Sequence, residues 1–163
     1  MNHKISLVTL LVSGALLAGC ATKQSDTVKV QVIGINDFHG ALQAPGDGKL
    51  GGIESIATLV KQLKAENDNT SIVGAGDLVG ASPLLSSMFY DEPTIEALSA
   101  IGLETSAVGN HEFDKGKIEL LRKQNGGCHP TAGCVGKESF AGADFNYLAA
   151  NVIVKETGET LFP

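Results

Sequence analysis

The sequence has little positive charge, few histidines and cysteines, and no apolar run long enough to cross a membrane comfortably. Lysine and arginine number 12 against 18 aspartates and glutamates, which gives a formal net charge of −6. A negative chain disfavours nucleic-acid polymers as partners, because their phosphate backbones are bound mainly by clustered positive charge. The same charge is compatible with a small phosphorylated substrate that is held by a metal ion.

The longest apolar run, residues 5–18, follows a short positive leader. A membrane-spanning helix needs about 20 apolar residues, so this run is typical of a secretion signal. It ends in Leu17-Ala18-Gly19-Cys20, which resembles the lipobox of bacterial lipoproteins. The resemblance implies cleavage before Cys20, acylation of its sulfur and, with Ala21 next to it, a lipid anchor in the outer membrane facing the periplasm. The alternative, a buried helix with a free thiol, lacks an amphipathic pattern.

The sequence pattern divides the chain into three segments. We predict a lipoprotein signal peptide at residues 1–19, a polar tether at residues 20–27 and one folded segment at residues 28–163. The tether has no apolar period, as expected of a flexible linker. The folded segment is long enough to bury one modest core.

Three apolar runs in the folded segment each lead into a polar cluster. Residues 30–35, 71–75 and 105–108 precede the clusters Asn36-Asp37-Phe38-His39-Gly40, Gly76-Asp77 and Gly109-Asn110-His111-Glu112-Phe113-Asp114. Between the first two, residues 51–66 place apolar side chains at helical spacing. Strand, helix and strand in this order predict a right-handed crossover and parallel pairing, so the polar clusters meet at one edge of the sheet. Later patterns predict helices at 94–100 and 115–123 and a strand at 148–154.

Carboxylates and imidazoles at one sheet edge favour a divalent metal. Asp37 and His39 are two positions apart, so both side chains would leave the same face of an extended segment. Taken singly, Asp37, Asp77 and Asn110 are also typical of turns after strands, where such side chains bond to the turn backbone. Taken together, the three residues indicate a metal site, because two of them, Asp37 and Asn110, have a histidine one or two positions away.

In this order, Asp37-x-His39, Gly76-Asp77-x-x-Gly80 and Gly109-Asn110-His111-Glu112 resemble the motifs of the calcineurin-like metallophosphoesterases. The longer forms, with Gly80-Ala81-Ser82-Pro83 and residues 147–152, are similar to the branch of 5′-nucleotidases and cyclic-nucleotide phosphodiesterases. The likeness covers residues 28–163. It implies an α/β fold, the N-terminal portion of a sandwich of two sheets flanked by helices and built from βαβ units.

The resemblance also implies a reaction, the metal-dependent hydrolysis of nucleotide phosphoesters, as a 5′-nucleotidase, a 2′,3′-cyclic-nucleotide phosphodiesterase or both. Two divalent ions, with Zn, Mn, Mg, Co and Ca not distinguished, are expected on Asp37, His39, Asp77 and Asn110, with Asp77 as the bridging ligand. His111, oriented by Asp114, is expected to be the catalytic residue that stabilises the transition state or protonates the leaving oxygen. Between them, Glu112 is expected to fix the loop.

Members of the resembled family also carry a Gly-His-x-His motif and a separate substrate-binding domain. The four histidines of this sequence, His3, His39, His111 and His129, offer no counterpart to that motif. We therefore expect a truncated chain that lacks the C-terminal substrate-binding domain and is inactive alone. Two alternatives stay open: a surface lipoprotein that binds a ligand through an incomplete, vestigial metal site, and half of an enzyme completed by another polypeptide.

With Cys20 taken by lipid, the remaining two cysteines lie in a glycine-rich loop of an exported chain. Cys128 and Cys134 can close a small disulfide there, since the envelope is oxidising. The alternative is a zinc site that uses Cys128, His129 and Cys134, but such a site needs a fourth ligand.

An apolar cluster, Met88-Phe89-Tyr90, lies beside a predicted helix. Its side chains suit either a ligand-stacking surface or the core. Because such clusters next to helices are more often buried, we predict that they belong to the core.

Overall fold

The computed structural model describes residues 27–162, so the predicted signal peptide, Cys20 and nearly all of the tether lie outside the described residues. Four strands form one sheet in the order β1 (Gln31–Ile35), β2 (Thr70–Gly74), β3 (Thr105–Ala107) and β4 (Asn146–Leu148). Every neighbouring pair is parallel. The helices are α1 (Ile53–Glu66), α2 (Leu84–Ser87), α3 (Glu92–Ala100) and α4 (Gly116–Asn125), with a 3-10 turn at His111–Phe113.

The first crossover, from β1 through α1 to β2, joins two parallel strands, as predicted. β1 and β2 pair in register from Gln31 opposite Thr70 to Ile35 opposite Gly74. Along α1, Val60 is buried and Ile53 and Ile56 pack against the core. The α/β class and the parallel pairing are therefore confirmed, and the carboxyl ends of β1 and β2 share one edge of the sheet.

The core lies between the sheet and the later helices. Its fully buried apolar side chains come from β2 and the loop after it, from two helices, and from β4 and the residue before it: Ile72, Leu78, Val79, Ile95, Leu98, Leu120, Tyr147 and Phe145. Burial of this apolar surface is the main force that holds the sheet edge in place.

A buried ion-pair cluster joins α3 to α4. The Arg122 guanidinium contacts Glu92 at 2.6 Å and Glu119 at 2.8 Å. The Lys123 ammonium lies 3.3 Å from the Asp91 carboxylate. Since charges this deeply buried are tolerated only when they are paired, the cluster fixes the relative position of the two helices.

Two sequence-based predictions were wrong in detail. The last strand is residues 146–148 rather than 148–154, and beyond it Ile153 makes only an isolated bridge to Thr160. Met88 was predicted in the core, but it is 58% exposed, and Phe89 and Tyr90 are half-buried. The preceding short helix, α2, turns this cluster towards the surface.

No helix in the described part of the chain combines the length and the apolar composition that crossing a membrane requires. Residues 27–162 contribute one sheet of the expected sandwich, and no strand of a second sheet occurs among them.

Candidate metal centre

Three loops meet at the carboxyl edge of the sheet. They follow β1, β2 and β3 and comprise residues 36–40, 75–80 and 108–114. The first two run side by side, because the backbone N–H of Asp37 donates to the Gly76 carbonyl at 3.2 Å and that of His39 donates to the Asp77 carbonyl at 3.0 Å. The predicted meeting of the Asp37 and Asp77 loops is thus confirmed.

The backbone at three of the candidate residues is left-handed. Asp37, His39 and Asp77 have φ of 50°, 47° and 52°. A residue with a β-carbon rarely adopts such values, and each costs on the order of 1 kcal/mol or more. The hydrogen bonds between the loops hold this strain in place. The segment of Asp37 and His39 is therefore not extended, as the sequence-based argument for a shared face had assumed, although His39 Nε2 lies 3.9 Å from Asp37 Oδ1.

Three side chains from the three loops converge. The potential ligand atoms of His39, Asp77 and His111 all lie within 4.8 Å of one another. The two imidazoles meet edge to face, with ring centroids 4.8 Å apart. His39 Nδ1 lies 2.9 Å from the Gly80 carbonyl oxygen. Because only a protonated Nδ1 can donate to a carbonyl, this contact leaves Nε2 of His39 free to bind a metal.

The Asp77 carboxylate sits in a close-fitting position between the loops. Its Oδ1 accepts a hydrogen bond from the backbone N–H of His111 at 3.0 Å. A β-carbon at Gly109 would collide with this same carboxylate, so only glycine allows the third loop to approach so closely. The orientation of Asp77 is thus fixed by the backbone of its neighbours.

A buried carboxylate, Glu112, ties two of the loops together. It is 1% exposed, and its oxygens accept backbone N–H groups from Asp77 at 2.9 Å, Leu78 at 2.8 Å and Gly109 at 2.6 Å. Hydrogen bonds to a charged acceptor are stronger than neutral ones. The sequence suggested only that Glu112 fixes its own loop, whereas it also fixes the loop that carries Asp77.

His111 is backed by Asp114, as predicted. His111 Nδ1 lies 2.9 Å from Asp114 Oδ2, and both side chains are about one-third exposed, at 32% and 35%. The hydrogen bond to Asp114 raises the pKa of His111 above its ordinary value, and the same bond lowers the pKa of Asp114. Asp114 Oδ2 also accepts the backbone N–H of Ala81 at 3.2 Å. The carboxylate thus holds a proton on Nδ1 and turns Nε2 away from itself.

The other two predicted ligands lie at the rim of this cluster. Asp37 has a side chain that is 64% exposed, and its Oδ1 is 3.9 Å from His39 Nε2. Asn110 is exposed and directly precedes the 3-10 turn. The sequence predicted His111 only as a catalytic residue, yet its ring lies among the candidate ligand atoms. No pattern of side chains in the sequence indicated that the Gly80 carbonyl orients His39.

The two cysteines of the distal loop are bonded to each other, which confirms the predicted pairing of Cys128 and Cys134. Because both sulfurs are consumed in this bond, the alternative zinc site with His129 is excluded. His129 Nδ1 instead accepts the backbone N–H of Ala132 at 3.2 Å.

The sequence matches one protein family over most of its length. The family described as calcineurin-like phosphoesterase matches residues 30–159.

Three curated relatives differ widely in length. The chain is 42% identical to the uncharacterized protein in the pqq-V 5′ region of Acinetobacter calcoaceticus, with 96% of this chain and 91% of that protein covered. It is 38% identical to Endonuclease YhcR of Bacillus subtilis, over 87% of this chain and 12% of that protein. It is 32% identical to a 5′-nucleotidase of Vibrio vulnificus, over 99% of this chain and 28% of that protein. The chain therefore spans nearly all of the first relative and a small part of the other two.

Proposed function

The chain belongs to the calcineurin-like phosphoesterase family, and on this premise we propose that it acts in the metal-dependent hydrolysis of nucleotide phosphoesters. The observation that carries the proposal is the convergence of His39, Asp77 and His111 at the sheet edge. The similarity to a 5′-nucleotidase supports a nucleotide as the substrate. A 5′-nucleotidase activity and a 2′,3′-cyclic-nucleotide phosphodiesterase activity are both consistent with it.

The donor set fits a divalent metal ion. An imidazole and carboxylates, here those of His39, Asp77 and Asp37, are ligands that first-row divalent metals favour. The Nδ1 atom of His39 has the Gly80 carbonyl as its partner, an arrangement that is common around the ligands of metal sites. Asp77, His39, Asp37 and Asn110 would hold two ions, with Asp77 shared between them. When bound, such ions act as Lewis acids and lower the pKa of water to give a nucleophile at neutral pH.

The role proposed for His111 is proton transfer. Asp114 keeps the proton on Nδ1, so a second proton is carried at Nε2, which faces away from Asp114. The raised pKa of His111 increases the fraction of the ring that carries this second proton near neutral pH. Nε2–H can then stabilise negative charge on a phosphoryl oxygen or protonate the leaving oxygen.

A second candidate function is ligand binding without turnover. It is supported by the small number of donors: among residues 27–162, one group of three histidine and carboxylate side chains is close enough to hold a metal. A surface lipoprotein with such a site could bind metal and nucleotide and release no product.

An activity assay separates the two functions. The natural protein from its source cells is incubated with Mn²⁺ and with nucleoside 5′-monophosphates, 2′,3′-cyclic nucleotides or single-stranded DNA. We expect the phosphate esters of both kinds of small nucleotide to be cleaved and single-stranded DNA to stay intact. The cleavage should be lost when the metal is chelated and in the His111→Ala variant. Binding of Mn²⁺ and nucleotide without any cleavage would establish the binding function instead. We also predict that residues 20–163 alone show no cleavage above the level of the His111→Ala variant. Clear metal-dependent turnover by residues 20–163 would contradict this prediction.

The place of the protein in the cell is also a proposal. The lipobox-like residues 17–20 support a lipid anchor on Cys20 in the bacterial cell envelope. Mass spectrometry of membrane-fraction protein should find acyl chains on Cys20, and Cys20→Ser should release the protein or stall its processing. Unmodified Cys20 in soluble wild-type protein would overturn this proposal.

A further inference from the structure

A buried polar network lies under the loop that carries His39. The residue that follows His39, Gly40, is buried and has a left-handed φ of 61°. A β-carbon at this position would lie 2.6 Å from Ser86 Oγ and 2.7 Å from Ser82 Oγ. Since no side chain fits at such distances, the backbone of the loop lies directly against the two serines. This contact joins the neighbour of a candidate metal ligand to the segment that contains α2.

Ser86 is itself held by two hydrogen bonds. Its Oγ lies 2.8 Å from Asp91 Oδ1 and 2.5 Å from Thr94 Oγ1. An ionised carboxylate can only accept, so the Ser86 hydroxyl donates to Asp91 and the Thr94 hydroxyl donates to Ser86. Ser86 and Thr94 are fully buried, and Asp91 is 6% exposed. Because an unpaired polar group is costly in such a place, each of these side chains fixes the next.

The network ends on a buried cation. Lys123 Nζ lies 3.3 Å from Asp91 Oδ2, and Lys123 is 2% exposed. The backbone N–H of Asp91 also donates to the Ser86 carbonyl at 3.0 Å. Lys123 belongs to α4, whose Leu120 is fully buried in the core. Contacts therefore run from a closely packed helix, through Asp91 and Ser86, to the backbone beside His39.

Two hydrogen bonds hold His39 against the loop after β2. Its N–H donates to the Asp77 carbonyl at 3.0 Å, and its Nδ1 bonds to the Gly80 carbonyl at 2.9 Å. The Ser86 contact acts on another face of the chain, the one on which Gly40 has no side chain. Because His39 has a strained φ of 47°, its position persists only where several contacts restrain it together.

From these contacts we propose that Ser86 and Asp91 are positioning residues of the metal centre. They hold the Gly40 backbone, and through it they keep His39 beside Asp77, while neither of them contacts the metal. The assignment rests on the proposed function for the role of His39 as a ligand. It adds to the metal centre a support that ends in α4.

The proposal distinguishes the two imidazoles of the cluster. His111 is oriented by Asp114 at 2.9 Å and by the bond from its N–H to Asp77 Oδ1 at 3.0 Å. Neither of these bonds involves Ser86. Removing the Ser86 hydroxyl should therefore displace His39 and leave His111 in place, whereas a general loss of stability would affect both.

The test variant is Ser86→Ala, which removes the atom closest to Gly40 and both hydrogen bonds of the hydroxyl. The matched control is Ser99→Ala. The Ser99 hydroxyl in α3 also makes two hydrogen bonds, to the Ile95 carbonyl at 2.8 Å and from the Asp144 N–H at 3.2 Å. Both changes thus remove one oxygen and two hydrogen bonds, and only the first removes a contact with Gly40.

The first readout is the ring ¹H–¹⁵N spectrum of His39 and His111 in the metal-free full chain, which needs neither metal nor turnover. We expect the His39 signals to shift in Ser86→Ala, the His111 signals to stay in place, and both to keep their wild-type positions in Ser99→Ala. The second readout is Mn²⁺ binding by calorimetry, where Ser86→Ala should bind about tenfold more weakly and Ser99→Ala like wild type. If Ser86→Ala does not fold, Thr94→Val, which removes the donor to Ser86, tests the same network.

The assignment is overturned by unchanged His39 signals in Ser86→Ala, by equal shifts of His39 and His111, by equal effects in Ser99→Ala, or by wild-type Mn²⁺ affinity in Ser86→Ala. Failure of the proposed function has a different signature. If the wild-type protein binds no Mn²⁺ and cleaves no nucleotide while His39 alone shifts in Ser86→Ala, the support of His39 stands and the proposed hydrolysis is wrong. Hydrolysis that depends on His111, with His39 signals indifferent to Ser86, has the opposite meaning.

Discussion

The backbone N–H of Asp77 donates to the carboxylate of Glu112 at 2.9 Å, so that the loop after β2 is held from the loop after β3. The same carboxylate accepts the N–H groups of Leu78 and Gly109. Asp77 is a candidate ligand with a left-handed backbone, which hydrogen bonds from neighbouring loops hold in place. The position of a metal ligand is thus set by a residue that does not face the metal centre.

Replacing the acceptor should loosen this arrangement. In Glu112→Gln one oxygen becomes an NH₂ group, which cannot accept a hydrogen bond, so at least one buried N–H is left without a partner. We expect a loss of about 1–3 kcal/mol in the free energy of unfolding, measured by urea titration, together with weaker Mn²⁺ binding.

The matched control for this change is Glu104→Gln. Glu104 is exposed, and its carboxylate accepts a hydrogen bond from the Ser71 hydroxyl at 2.7 Å. Its replacement should change stability by no more than about 0.5 kcal/mol. Equal effects of the two substitutions would show that the buried position of Glu112 is not what matters.

The arrangement of strands could be read from the sequence, whereas the shape of the loops could not. Apolar runs before Asp37 and Asp77, with an amphipathic stretch between them, were sufficient to predict parallel strands. The left-handed backbone at Asp37 and His39 depends on hydrogen bonds to the neighbouring loop, which no local pattern reveals.

The burial of individual side chains was also difficult to predict from the sequence. Met88 looks like a core residue by type, and it is exposed because the short helix α2 and the left-handed turn at Tyr90 redirect the chain. In contrast, the contact between His111 and Asp114, which the family resemblance implied, is present in the structure, where a separation of three positions brings both side chains to one turn. Prediction succeeded where contacts were local or periodic and failed where distant loops decide the conformation.

The Asp91–Lys123 pair should make stability depend on pH in the acid range. Burial alone would raise the pKa of Asp91, but the neighbouring Ser82 hydroxyl, the Lys123 charge and the hydrogen bond from Ser86 together lower it. A folded-state pKa below the unfolded value of about 3.9 means that the stabilisation is present above that pH and is lost as the pH falls through the folded-state pKa.

The variant Asp91→Asn tests this linkage. It should lower the free energy of unfolding at pH 7 by about 3–5 kcal/mol, because the buried Lys123 loses its partner. It should also remove part of the further loss that wild-type protein shows below about pH 4. Urea midpoints measured across this range decide the matter, with the exposed Asp68→Asn as a control that keeps the wild-type profile. Parallel profiles for wild type and Asp91→Asn would count against the pairing.

The disulfide should contribute modestly to stability. Cys128 and Cys134 are separated by 6 positions, and closing so small a loop stabilises the folded state by about 2 kcal/mol in the entropic account. Reduction should therefore lower the urea midpoint and leave the chain folded. Mass spectrometry of exported protein under non-reducing conditions should find both thiols protected, and two alkylatable thiols would contradict the pairing.

Asp77 and His111 should respond differently to substitution, although their side chains lie in the same cluster. Asp77→Asn removes the negative charge proposed to be shared by two ions. The affinity of the protein for the metal should therefore fall by about tenfold or more, and activity should fall with it. His111→Asn removes the group proposed to carry the proton, so turnover should fall by about 10²-fold or more while metal content stays near that of wild type. Metal analysis by mass spectrometry, run beside kinetics on the natural protein, distinguishes the two.

Should His111→Asn empty the site while Asp77→Asn leaves it full, the imidazole is the essential ligand and the proposed roles are reversed. The cluster geometry makes this a sharp question, because Nε2 of His111 can serve a metal or a leaving oxygen but not both at once.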